Sequence, residues 1–126
     1  MAEGKGCLRV ALAALDTAGG ILSQANPEGE DLIITRFIVD VTTPATAACT
    51  ADFGIAAAAT TLSDTLIDGP DVHSAAVCLD SADATDQGTN GNASRKWSST
   101  QYLTGSMASG AAAGLGGYAY VEYVRK

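Results

Sequence analysis

Aromatic side chains are scarce. Tryptophan, phenylalanine and tyrosine together make up 6% of the 126 residues, too few to line a sugar cleft, even though fourteen acids supply carboxylates. Histidine occurs once, at His73, so a nucleophilic triad has a single base to draw on. That base lies between Val72 and Ser74, and no G-x-S-x-G elbow accompanies it. Basic residues number seven, for a net charge of −7, and the only adjacent pairs are Arg95-Lys96 and Arg125-Lys126. Displacing counterions from a phosphate backbone needs clustered Lys and Arg, so nucleic acid is not expected as a partner. The three cysteines, Cys7, Cys49 and Cys78, are odd in number and far apart, with no CxxC. They read as small buried hydrophobes in a reducing compartment, and with one histidine they lack the paired spacing of a zinc site.

Long apolar runs are missing too. None approaches the ~18 residues that span a bilayer, so no membrane partner is expected. "CLRVALAAL" faintly imitates a signal peptide, but Arg9 interrupts it and its exit is poor, so synthesis in a cytoplasm is expected. "GLGG" is neither a dinucleotide fingerprint nor a P-loop. Asp80, Asp83 and Asp86 recur at intervals of three before Gly88, whereas a calcium-binding EF-hand loop alternates at intervals of two and ends in Glu. A solvated acidic loop is the reading there, and no metal, cofactor or catalytic residue is assigned.

What is present is period-two alternation. "LIITRFIVDVTT" (32–43) is the clearest strand, with Ile33, Thr35, Phe37, Val39 and Val41 on the expected core face and Ile34, Arg36, Ile38 and Asp40 on the other. In "TAACTADFGI" (46–55), Ala47, Cys49, Ala51, Phe53 and Ile55 share a face, and the short corner at Pro44 predicts a hairpin with the preceding strand. "CLRVALAAL" (7–15), "ILSQA" (21–25), "HSAAVCLD" (73–80) and "RKWSSTQYLTG" (95–105) read as further strands. The alanines from 56 onward suggest a short helix, "DGP" and "DTAGG" turns, and 81–94 a polar loop. In the last strand, 118–124, Tyr118 and Tyr120 face one way and Ala119, Val121 and Tyr123 the other. The glycine-rich stretch before it reads as an adaptable connection across a tightly packed edge.

Seven or eight short strands with regular turn signals predict an all-β fold. The expected form is an antiparallel two-sheet sandwich of jelly-roll type, with a barrel as the alternative. Residues 1–6 are expected to form a flexible arm and 7–126 a single domain. Because the apolar fraction is mostly alanine, the core is expected to be thin.

Two stretches add a resemblance. "ITRFIVDVTTPATAACTADFGIA" with "TLIDGPDV", and "YLTGSMASGAAAGLGGYAYVEYV", resemble small structural proteins of tailed bacteriophages, namely the capsid decoration (cement) proteins with a β-sandwich body. The resemblance implies a non-enzymatic virion protein on the outer surface of an expanded capsid. It would bridge subunits of the major capsid protein and assemble with itself, as a homotrimer rather than a homodimer. Within that reading, Lys5 and Arg9 are expected to meet an acidic capsid surface, and Tyr118 and Tyr120 a neighbouring chain. The alternatives are another phage part (head-fibre base, neck or tail tube) and a small glycan- or receptor-binding module.

Overall fold

A computed structural model of the chain describes residues 4–14, 20–82 and 95–126. Strands run in the order β1 (Gly4–Leu12), β2 (Gly20–Ala25), β3 (Leu32–Thr43), β4 (Cys49–Ala56), β5 (Ile67–Asp71), β6 (Val77–Asp80), β7 (Arg95–Trp97), β8 (Tyr102–Gly110) and β9 (Gly116–Arg125). One sheet has the order β1-β9-β3-β6, with β7 also on β3; the other has the order β2-β8-β4-β5. All pairings are antiparallel. The pairs β4·β5, β3·β6, β2·β8 and β1·β9 describe one long hairpin. Rolling it up brings β9 beside β3 and β8 beside β4, which is the jelly-roll path. The two-sheet sandwich expected from the alternation is therefore the fold, with nine strands among the described residues rather than seven or eight.

The sheets close over a core that takes in the largest apolar side chains among the described residues. Trp97, Phe37 and Phe53 are fully buried, and so are Ile21, Leu32, Ile67 and Leu103. Phe37 from one sheet meets Phe53 from the other at 5.8 Å between ring centres, a tilted contact that adds about 1 kcal/mol to the burial itself. The Trp97 indole donates to the Gln101 carbonyl at 3.0 Å. Alanine supplements this core at Ala45, Ala51, Ala112 and Ala119. A low aromatic content thus suffices, because both phenylalanines and the tryptophan go inside.

Several expectations need correction. The face assignment along β3 holds only for its second half. Phe37, Val39 and Val41 are buried, but in the first half it is Leu32 and Ile34 that point inward, while Ile33 is half-buried and Thr35 exposed. The register against β9 slips between Ile34 and Arg36, which inserts one extra residue and reverses the alternation. Thr35 sits at the bulge, donating to the Glu122 carbonyl (3.2 Å) and to Glu122 Oε1 (2.9 Å).

β3 and β4 form no hairpin; the corner at Pro44 carries the chain from one sheet to the other. No helix forms over 56–66. "DGP" lies within β5, an edge strand, where proline removes no ladder bond that a neighbour needs. The strand expected over 73–80 shortens to β6. The one expected over 95–105 divides into β7 and β8 around a Ser98–Gln101 turn, closed by a 3.0 Å bond from Gln101 N to Ser98 O.

The small-residue connection also narrows, since Ser106–Gly110 belongs to β8. There Gly105 leaves room for the Phe53 ring, which approaches where a Cβ would stand. Gly117, the second residue of the last strand, has φ +146°, with its Cα turned against the Asp40 carbonyl. Of the arm expected over 1–6, Gly4, Lys5 and Gly6 are paired with Arg125, Val124 and Tyr123 as part of β1. Residues 16–19 of the expected turn, and 83–94 of the polar loop with Asp83, Asp86 and Gly88, lie outside the described residues.

Candidate interaction face

The two outer faces of the sandwich differ. The outer face of the β2-β8-β4-β5 sheet is overlaid by the chain's own 57–66 segment. Thr104 Oγ1 donates to Thr61 O at 2.9 Å, Ser63 Oγ donates to Ile55 O at 3.0 Å, and Ile55 N donates to Thr65 Oγ1 at 3.1 Å. Gly54 lies directly beneath Ser63 and Thr65. The opposite outer face, built from β1, β9, β3 and β6, carries no such cover among the described residues.

Pairing register lays this open face out in rows. Arg9, Tyr120, Ile38 and Asp80 form one row across the four strands. Ala11, Tyr118, Asp40 and Cys78 form the next, and Cys7, Glu122 and Arg36 lie on the other side. The Arg9 guanidinium stands 4.5 Å from the centre of the Tyr118 ring, a cation–π stack that holds two long side chains flat on the sheet. Tyr118 is 38% exposed, one of the two exposed large hydrophobic residues among those described. Tyr120 is half-buried and lines a shallow depression with Cys7, Arg36, Ile38 and Glu122.

Two charged groups here have partners. Arg36 donates to Asp80 Oδ2 at 2.6 and 3.2 Å, and Glu122 takes the Thr35 hydroxyl. Exposed pairs of this kind orient side chains and add little stability.

Of the four residues singled out in the sequence, Arg9, Tyr118 and Tyr120 are brought together. Lys5 shares their strand face but stands two alternations away, opposite Val124. The last-strand assignment holds, since Ala119, Val121 and Tyr123 are buried. Arg36, Ile38, Glu122 and Cys7 are the members that sequence reasoning left out of the site. Their signal was the non-core parity of Arg36 and Ile38, which became a location only once β3 was paired with β9. Cys7 and Cys78 are exposed on this face and only Cys49 is buried, which corrects the expectation of three buried thiols. Burial, with the nearby Asp71, pushes the Cys49 thiol above its ordinary range.

Titratable groups elsewhere serve the scaffold. His73 Nδ1 lies 2.7 Å from the Ala45 carbonyl and so carries the proton there. Glu28 is held below the usual carboxylate range by hydrogen bonds from Arg125 (2.9 Å) and from the Tyr123 hydroxyl (2.6 Å). Arg125 also reaches the Lys5 carbonyl at 3.0 Å, which ties β1 to this cluster. Asp52 is 7% exposed; burial, opposed by a 2.7 Å bond from Gly69 N, raises its carboxyl, and Asp68 and Asp64 raise it further.

Among known proteins, no family model, no curated protein and no solved structure matches the chain.

Proposed function

We propose that the protein is a non-enzymatic virion component that binds the outside of an expanded phage capsid and stabilises it by bridging major capsid protein subunits. The observation that carries this reading is the asymmetry of the sandwich. One outer face is overlaid by the chain's own loop. The other, uncovered among the described residues, is a four-strand surface on which Arg9, Tyr118, Tyr120, Arg36 and Ile38 stand side by side. Tyr and Arg are the residue types that dominate binding energy when an interface closes over them. The resemblance of the 34–56, 65–72 and 102–124 stretches to decoration proteins supplies the identity of the partner.

Size sets a limit on how such a face acts. Four strands at about 4.8 Å spacing and seven residues at about 3.4 Å give roughly 500 Å² in projection. A standard specific interface takes about 800 Å² per partner. An adjoining element or several copies acting together strengthen binding by a face of this size. Oligomers on a symmetric lattice supply the latter through effective concentration. A ligand that binds only the expanded lattice stabilises that state by mass action.

The test is to mix purified protein with undecorated expanded capsids, sediment the particles and image them. Occupancy at many regular outer positions is expected. Replacing Arg9 and Tyr118 together by Ala is expected to lower occupancy while leaving thermal unfolding within a few degrees. Sedimentation with tail assemblies instead, or no binding to particles, overturns the reading.

A further inference from the structure

Edge strands that must not pair are normally blunted by proline, brevity, irregularity or charge. Most of the described edges here follow that rule. β5 contains Pro70 and Gly69 at φ +70°. β6 and β7 have four and three residues. β2 has six, with a register shift at its start. β1 is the longest of these edges: nine residues without proline, opened by Gly4 at φ +96° and blunted only by the charges of Lys5 and Arg9, pair with β9 in unbroken register, and no described strand pairs with the opposite side.

The side chains of β1 also describe what would sit beside it. On the inner face Leu8 and Val10 pack against the core yet stay only half-buried, so apolar surface remains at the rim. On the outer face stand Lys5 and Arg9, and "GKGCLRVAL" contains no carboxylate, in a protein whose net charge is −7.

We infer that β1 accepts a tenth strand from a partner: an extended segment alternating acidic and apolar residues. Main-chain hydrogen bonds to the free edge supply affinity. The segment's apolar residues cover Leu8 and Val10, and its carboxylates lie across from Lys5 and Arg9. A second copy of β1 is a poor occupant. Any antiparallel register that keeps the faces aligned sets Lys5 against Arg9 of the copy, or Arg9 against Arg9, or gathers all four cations on a rail lacking an acid. Like charges opposed across strands are destabilising. The inference deepens the docking proposed above, because an added strand enlarges the face, and on that reading the shell protein donates the segment.

The probe is a synthetic peptide of alternating glutamate and valine, as long as β1, titrated against the full chain at low salt. Its lysine–valine counterpart is the control. Expected are binding of the acidic peptide only, weakening as salt rises, and slowed amide exchange along residues 4–12. Reversing both charges with Lys5→Glu and Arg9→Glu is expected to weaken binding about tenfold, with thermal unfolding checked to show that the fold survives. Equal binding of both peptides overturns the inference. So does the absence of binding, or protection appearing only away from β1. Concentration-dependent self-association that competes with the peptide puts a second copy on the edge and overturns it as well. The two proposals separate cleanly: peptide binding without capsid binding sinks the capsid reading alone, and capsid binding without peptide binding sinks the edge inference alone.

Discussion

Ile33 and Ile34 are adjacent, chemically identical and oppositely disposed, and truncating each in turn tests the bulge in β3. Uninterrupted alternation from Phe37 backward assigns Ile33 to the core. The register slip at Thr35 assigns it to Ile34, which is 2% exposed, and leaves Ile33 half-buried on the outer face beside Val124 and Lys96. Removing a buried isoleucine side chain to alanine forfeits transfer energy and leaves a cavity, a cost of about 2–4 kcal/mol. The same change at a half-exposed site costs about 1 kcal/mol or less. With a urea m-value of about 2 kcal/mol per M for a domain of this size, Ile34→Ala lowers the midpoint by about 1–2 M and Ile33→Ala by under about 0.5 M. Equilibrium unfolding followed by Trp97 fluorescence reads this directly, since the indole is fully buried in the fold. Protein concentration is held constant so that any association contributes equally. If Ile33→Ala costs as much as Ile34→Ala, or more, the bulge and the face assignment built on it are wrong.

Two further outcomes follow from the scaffold. Asp52 has its folded-state carboxyl raised, first by burial, so the folded chain holds that proton more tightly than the unfolded one. Stability from this group is intact below the ordinary value of 3.8 and is lost as pH rises through the folded-state value, and Asp52→Asn removes that loss. Melting temperatures of the two proteins are expected to converge at low pH and to diverge, with the variant higher, toward neutrality; a constant offset refutes the assignment. Gly117→Ala places a Cβ at φ +146° against the Asp40 carbonyl, a backbone atom that cannot rotate away. A loss of about 2 kcal/mol or more is expected in the same urea assay, and a neutral result contradicts the close β3–β9 approach.

How far the sequence could be read depended on the range of the signal. Strands β3, β4 and β9 were legible because alternation is imposed by the pleat within a single strand. The buried side of β9 followed from the spacing of Ala119, Val121 and Tyr123. The alanines after Ile55 misled because helix propensity is a weak prior that tertiary context overrides. Here the segment is committed to covering Gly54 and Thr104. "DGP" misled because Gly and Pro mark turns and edge strands alike, and only the sheet order tells which. Arg9, Tyr118 and Tyr120 were named individually, yet their meeting is a matter of register between β1 and β9, more than a hundred residues apart.

The sequence by itself determined that this chain is all β and which stretches alternate, because those properties reside in neighbours along the chain. Only the tertiary structure decided which strands pair and where the alternation reverses at Thr35. It alone decided which outer face stays uncovered among the described residues and that β1, nine residues long, lies at a sheet edge. Each of these is set by contacts between segments far apart in sequence, whose loop-closure cost and packing gain are fixed by the whole fold and by no single stretch of it.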